Sequence, residues 1–261
     1  MRMTYERPRL LPVRTDIDHL DWGAVDAVLF DLDGVITPTA EVHMHAWAEM
    51  FAPFLHSRQA APYTDDDYFA HVDGKPRYEG VAALLASRDI ELPWGDPGDP
   101  PDAETVCGLG NRKNLLFGKV LARDGVKAFP GSVELLDVLD ERGTRMAVVS
   151  SSANAPDVLR AAGLLERFET VVDGAVAKDR NLPGKPEPDT YEYAADVLGV
   201  PHERALVVED AVSGVQAGAA GSFASVVGVD RGAGVQTLLD HGADVVVADL
   251  AELVPGARRA S

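Results

Sequence analysis

One cysteine, Cys107, leaves no pair for an internal disulfide and no all-cysteine metal site. A reducing cytoplasm is the compartment that fits such a chain. No apolar run is long enough to span a bilayer. The first 21 residues mix Arg, Glu, Asp and Pro and carry no apolar stretch of the secretory type. Positive charge is scarce: 24 Lys and Arg stand against 42 Asp and Glu, a formal net charge of -18. That argues against nonspecific attachment to nucleic acid or to anionic membranes, and there is no basic stripe for specific nucleic-acid binding. It also sets a condition. An anionic substrate needs local cations or a metal ion to overcome a repulsive global field. Internal repeats are absent too. What is present is a 46% hydrophobic chain of 261 residues, enough for one large domain or two smaller ones.

The most informative stretch runs from Val25 to Thr37, VDAVLFDLDGVIT. Its apolar, β-branched and aromatic start predicts a buried parallel strand. The strand ends in Asp31 and Asp33, and Gly34 permits a tight turn. Residues two apart on a strand point the same way, so both carboxylates converge if the extended geometry persists to Asp33. A polar Asp-Gly turn closing the strand is the plainer alternative.

After Pro38 the period becomes helical. His43, Trp47, Met50, Phe51 and Phe54 share a face, and Pro53 is expected to end or kink that helix. Two short helices are predicted within 68–88, around 72–77, then a Pro/Gly/Asp-rich loop at 92–101, and a helix over 102–123 that begins near Glu104. No strand is required between 40 and 123. Strand and helix then alternate: helices at 132–142, 156–162, 190–198, 214–220 and 235–241, strands at 145–149, 170–173, 205–208, 225–229 and 244–247. Repeated βα units predict an α/β, Rossmann-like, doubly wound parallel sheet, here with an all-helical domain inserted after the first strand. The expected division is 1–39 (extension, first strand and hinge), 40–125 (helical cap) and 126–261 (α/β core).

Strand ends should share one edge of such a sheet, where ligands bind. They bring Asp31 and Asp33, Ser150 and Glu209-Asp210, with Lys185 in a Pro-rich loop before a helix. Carboxylates are hard ligands that suit Mg²⁺. Ser150 and nearby backbone N–H groups can hold phosphate oxygens, and Lys185 can meet a phosphoryl charge. Asp31, on the rigid strand, suits a nucleophile that forms an aspartyl-phosphate, and Asp33, at the turn, suits a general acid/base. Taken singly, each piece has a plain reading: a helix N-cap for 150–152, a solvated loop lysine for Lys185, a polar strand end for Glu209-Asp210.

Asp31-Leu32-Asp33-Gly34, Ser150, Lys185 and Glu209-Asp210 together resemble the four motifs of the haloacid dehalogenase (HAD) superfamily of phosphotransferases. Within it, the stretches through Thr37, Thr39–His43 and Ala46-Trp47 are similar to the β-phosphoglucomutases and their sugar-phosphate relatives. The resemblance covers about residues 25–253. It implies a helical cap on hinges near Thr39 and Gly125, and Mg²⁺ held by Asp31, the Asp33 carbonyl, Glu209 and Asp210. It further implies substrate contacts from Gly74 and Arg77 (a Gly-x-x-Arg for the non-transferring phosphate), Lys113 (sugar), and Ser152, Ala153 and Asn154 (core phosphate). His43 becomes a cap histidine coupling Asp33 to the substrate, with a packed structural histidine as its rival. A guanidinium at Arg77 would also meet the charge condition set above. Pro38, the long 92–101 loop and the N-terminal extension depart from the pattern.

The resemblance implies a Mg²⁺-dependent mutase that interconverts β-glucose 1-phosphate and glucose 6-phosphate through phospho-Asp31 and a bisphosphate. A sugar-phosphate phosphatase uses the same first half-reaction, with water as acceptor. A non-catalytic phosphosugar-binding regulator is the alternative of another class. A dehalogenase suits Asp33 and Arg77 less well. A cytoplasmic monomer is expected, with a dimer as the alternative, and no nucleic-acid or membrane partner.

Overall fold

The computed structural model describes residues 20–72 and 75–254. Most of the N-terminal extension (residues 1–19) and Gly74 therefore lie outside the described residues. The chain divides into two compact units: Met1–Ile36, Phe129–Ala153 and Arg167–Ser261 form one, Thr37–Ala128 and Asn154–Glu166 the other.

The first unit is built on a six-stranded, all-parallel sheet in the order β3-β2-β1-β4-β5-β6. The strands are β1 (Ala27–Phe30), β2 (Arg145–Val149), β3 (Thr170–Val172), β4 (Ala205–Glu209), β5 (Ser225–Val229) and β6 (Val245–Val247). Every side chain of β1 is buried, as a central strand covered on both faces requires. Leu29 is in register with Ala147 on one side and Val207 on the other. The order matters for function. The chain builds outward from β1 to β3, then returns to the far side of β1 to lay down β4, so the direction of winding reverses between β1 and β4. That reversal opens a crevice at the carboxyl ends of the two strands.

The helices, in chain order, are α1 (Thr39–Ser57), α2 (Asp65–Asp67), α3 (Arg77–Ala86), α4 (Val106–Asp124), α5 (Pro130–Arg142), α6 (Ala155–Ala161), α7 (Gly174–Arg180), α8 (Asp189–Leu198), α9 (Val212–Ala220) and α10 (Val235–Asp240). Around the sheet, α8 lays Tyr191, Ala194, Ala195 and Leu198 into a core with Leu29, Ala147, Val149 and Val207, and α9 adds Val215 and Ala217. The second unit has its own core, where Trp47, Met50, Phe51, Phe54 and Leu55 of α1 meet Val81, Leu84 and Leu85 of α3 and Val106 and Leu109 of α4. Among its described residues there is no strand, as expected.

Three expectations need correction. Pro53 does not end α1, which runs on to Ser57. Ala52 and Pro53 lie on the exposed side while Phe51, Phe54 and Leu55 are buried, and that burial outweighs one missing N–H bond. The fourth helix starts at Val106 and not near 102–104, because the Thr105 hydroxyl accepts from Gly108 N–H at 2.9 Å and caps it. Helix α7 was not foreseen. It buries no residue, so it leaves no apolar period, and the Asp173 carboxylate starts it by accepting from Ala175 and Val176 N–H. Around 72–77 the two short helical segments are α2, which runs into a π-turn at Tyr68–Val72, and α3.

Candidate active site

Asp31 sits one residue past β1, and its N–H still donates to the Val208 carbonyl at 2.9 Å. Extended pairing stops there. Ile36 N–H donates back to the Leu32 carbonyl at 2.9 Å, so the chain turns immediately after Asp31. Gly34 makes the turn possible. Its φ is +86°, and a Cβ on it would lie 2.0 Å from the Asp210 carboxylate oxygen. The loop after β1 therefore closes directly onto the end of β4.

Lys185 joins these strand ends. Its Nζ donates to Asp31 Oδ1 at 2.6 Å, to Glu209 Oε1 at 2.6 Å and to the Val149 carbonyl at 3.0 Å. Three donors are all an ammonium has. The side chain is only 7% exposed, so the solvated-loop reading of Lys185 does not hold. Glu209 is also fully engaged: Oε1 accepts from the Tyr191 hydroxyl at 3.1 Å as well as from Lys185, and Oε2 accepts from Asp210 and Ala211 N–H at 3.0 Å each. A Cβ on Gly214 would fall 1.7 Å from Glu209 Oε1, so the first turn of α9 must carry a glycine there to admit that carboxylate. Ser150 is buried at the end of β2. Its hydroxyl makes a long contact, 3.5 Å, to Asp33 Oδ2 and accepts Ser152 N–H at 3.1 Å.

The electrostatics follow from this crowding. Burial pushes the Asp31 carboxyl well above the usual carboxylate range; Lys185 pulls it back, while Glu209, Asp33 and Asp210 push it further up. Asp210 is pushed up to about 7 by burial and by Glu209 and Asp33. Lys185 is raised despite its burial, because Asp31 and Glu209 hold its charge. Ligand oxygens of Asp31, Glu209 and Asp210 lie within 4.8 Å of one another, a donor set that fits a hard divalent cation. Such a cation reverses the upward pressure on these carboxyls.

Tyr191 belongs to this site and sequence reasoning did not select it. It is fully buried, its hydroxyl meets Glu209, and Lys185 Nζ lies 4.9 Å from its ring centroid. Its position on the apolar face of a helix six residues after Lys185 was the available signal.

The second unit holds His43, Arg77, Lys113 and Asn154, while Ser152 and Ala153 belong to the first. The α4 run Asn111–Asn114 divides its tasks. Asn111 Nδ2 donates to the Pro97 and Asp99 carbonyls at 3.0 and 2.8 Å, and Arg112 Nε donates to the Pro101 carbonyl at 2.6 Å, so these two hold down the 92–101 loop. Lys113 instead meets His43. Its Nζ lies 2.6 Å from His43 Nδ1, 5.0 Å from the Trp47 ring centroid and 5.1 Å from that of Phe117. An ammonium can only donate, so Nδ1 is the acceptor and His43 is the neutral tautomer with its proton on Nε2. His43 also stacks on Phe117 at 4.4 Å between centroids. Burial, then the charges of Lys113 and Arg77, push the His43 pKa down to about 3. Arg77 is half-buried at the start of α3, its guanidinium 5.3 Å from the Tyr78 ring centroid. A strongly acidic chain thus holds two cations around one neutral histidine. Asn154 donates to Asn114 Oδ1 at 2.9 Å, and Ala153 is exposed.

The histidine makes a stability prediction. Its pKa falls from 6.5 to about 3 on folding. Between those values the unfolded chain binds a proton at this imidazole that the folded chain does not, so stability drops as pH falls through the window. From pH 6.5 to 4.5 this one group removes about 2 kcal/mol. His43→Gln keeps an acceptor for Lys113 but does not titrate. Its thermal midpoint should fall less than the parent's between pH 7 and 4.5; equal falls would remove His43 as the cause.

A family model described as haloacid dehalogenase-like hydrolase matches residues 25–221. A β-phosphoglucomutase of Mycobacterium tuberculosis (strain CDC 1551 / Oshkosh) is 49% identical over 258 residues, 95% of this chain and 98% of that protein. The β-phosphoglucomutase of Bacillus subtilis (strain 168) is 34% identical over 232 residues, 87% of this chain and 91% of that one. Among solved structures, a HAD family hydrolase from Deinococcus radiodurans R1 with bound phosphate and sodium has a TM-score of 0.66 and 28% identity, covering 88% of this chain and 93% of that one. The two mutase matches cover 95% and 87% of this chain, and the chain belongs to the haloacid dehalogenase-like hydrolase family, in its β-phosphoglucomutase branch.

Proposed function

We propose that this enzyme is a β-phosphoglucomutase, converting β-glucose 1-phosphate to glucose 6-phosphate through phospho-Asp31 and a glucose bisphosphate. The observation that carries the reading is the Lys185 bridge, 2.6 Å to Asp31 and 2.6 Å to Glu209 in a buried crevice. It keeps a positive charge beside the carboxylate that must accept a phosphoryl group. Asp31 attacks phosphorus, and the bond from phosphorus to the donor oxygen breaks. Asp33 gives its proton to that departing oxygen, then takes a proton from the sugar hydroxyl that attacks phospho-Asp31. Ser150 holds a phosphoryl oxygen and keeps Asp33 in place. Asp31, the Asp33 carbonyl and Asp210 would hold Mg²⁺, with Glu209 behind them; when bound, the ion keeps Asp31 ionised and offsets charge on the phosphoryl oxygens. Glu209, whose oxygens already accept four hydrogen bonds, chiefly seats Lys185 and the 209–211 backbone.

Arg77 grips the phosphate that is not being transferred, Lys113 contacts the sugar, and His43 donates from Nε2. A mutase must retain its bisphosphate between two transfers, and a charge-assisted clamp gives that retention. The family match to hydrolases keeps a sugar-phosphate phosphatase as the second reading. Purified protein with Mg²⁺, β-glucose 1-phosphate and catalytic bisphosphate should form glucose 6-phosphate with little free phosphate. Free phosphate without glucose 6-phosphate would establish the phosphatase. Arg77→Met should lower kcat/KM for isomerisation roughly 10²-fold and raise phosphate release per turnover, since an escaped bisphosphate leaves phospho-Asp31 to water.

A further inference from the structure

The loop after β5 has no part in the chemistry above. Asp230 ties it: its N–H donates to the Val247 carbonyl at 2.8 Å, and its Oδ1 accepts from Gly232 and Gly234 N–H at 2.9 and 3.0 Å. The loop so held presents Arg231. Arg231 Nε donates to the Gly34 carbonyl at 2.9 Å, Nη1 donates to the Ala248 carbonyl at 3.1 Å, and the guanidinium carbon lies 3.9 Å from the Phe129 ring centroid.

Gly34 is the residue after the general acid/base, in a backbone region that glycine enters freely and leaves as freely. Nothing in its own side chain can hold the turn. Beside the Ile36–Leu32 bond within the turn, the hold comes from outside, carbonyl by carbonyl. Arg231 takes Gly34, the Ser132 hydroxyl takes Val35 at 2.7 Å, and Phe129 N–H takes Ile36 at 2.9 Å. Of the three carbonyls, the one Arg231 holds is nearest Asp33 in the chain, and Arg231 also packs on Phe129, so it braces the outgoing segment and the returning one together. The planar fork, which serves two carbonyls and lies over a ring, is a role lysine cannot fill.

We propose that Arg231 is a positioning residue for Asp33: it pins the Gly34 peptide and so fixes the carboxyl that moves protons at the sugar oxygen. The inference rests on the phosphoryl-transfer roles given to Asp31 and Asp33. Its consequence is selective. Transfer from a sugar phosphate needs a proton for the leaving oxygen, whereas acetyl phosphate expels acetate, which needs none. Loss of Arg231 therefore slows the first and spares the second.

The test uses the full chain with Mg²⁺ and compares Arg231→Met and Arg231→Lys with the parent. One readout is kcat and KM for isomerisation of β-glucose 1-phosphate. The other is the rate at which acetyl phosphate places covalent phosphate on the protein, measured by rapid acid quench. Isomerisation kcat should fall roughly 10- to 100-fold with KM within about threefold, while acetyl phosphate loading stays within about threefold. The lysine variant keeps the charge and the stem, so it serves if the methionine variant does not fold, and it should show the same selective loss. Equal loss on both donors, or no loss on either, would overturn the proposal. If the parent does not isomerise β-glucose 1-phosphate, the proposed function fails; the Arg231 comparison is then read on phenyl phosphate, whose poor leaving group makes the same demand on Asp33.

Discussion

Asp31→Asn is expected to leave a folded protein with no measurable turnover, a loss of roughly 10⁴-fold or more, the scale seen when a covalent nucleophile is removed. The amide has the shape of the carboxylate and still offers an oxygen to Lys185, which also keeps Glu209 and the Val149 carbonyl. It lacks the charge that attacks phosphorus. The substitution also removes a carboxyl that burial and three neighbouring carboxylates hold well above its usual range, so the fold loses little. The measurements are turnover with Mg²⁺ and intact-mass detection of protein-bound phosphate after acetyl phosphate loading. Retained turnover above about 1% of the parent's would remove Asp31 from the nucleophile's role and revive the reading of a regulator that only binds phosphosugars.

Lys185→Met is expected to do the opposite to the fold. The methionine fills the volume, but Asp31 and Glu209 lose their shared cation in a crevice where the three side chains are 11%, 1% and 7% exposed. Breaking a buried ion pair from one side costs about 3–5 kcal/mol, because the remaining charges are left without compensation. In a chain of this size that lowers the thermal midpoint by roughly 6–20 °C. Turnover should also fall roughly 10²- to 10³-fold, the usual cost of removing one group that stabilises developing charge. A midpoint within about 2 °C of the parent's would mean that Lys185 is not the keystone the geometry makes it. The two variants thus separate the residue that performs the chemistry from the one that makes its environment tolerable.

Much of this was legible before any coordinates. Two aspartates two residues apart at the end of an apolar run, a serine at a second strand end, a lysine between prolines and a Glu-Asp pair at another strand end are found gathered in one buried cluster. Local chemistry dictated those strands, and a parallel sheet brings their carboxyl ends to one edge. The misreadings have a common cause. An end at Pro53 follows from its backbone rule alone, whereas burial of Phe54 and Leu55 carries α1 through it. Helix α7 stands on its Asp173 cap and buries none of its residues fully. Tyr191 has the period of a core residue, and only its hydroxyl's 3.1 Å contact with Glu209 ties it to the site.

By itself, then, the sequence determined which residue types arrive at the sheet edge and in what order along the chain, because apolar period and turn chemistry are local properties. What the tertiary structure decided is who meets whom. The winding reversal between β1 and β4 puts Asp31 beside Glu209 and Asp210, Lys185 crosses 154 residues of chain to join them, and Arg231 crosses 197 to hold the turn behind Asp33. Those meetings depend on strand order and on burial that strips water from the charges. No local pattern encodes either one.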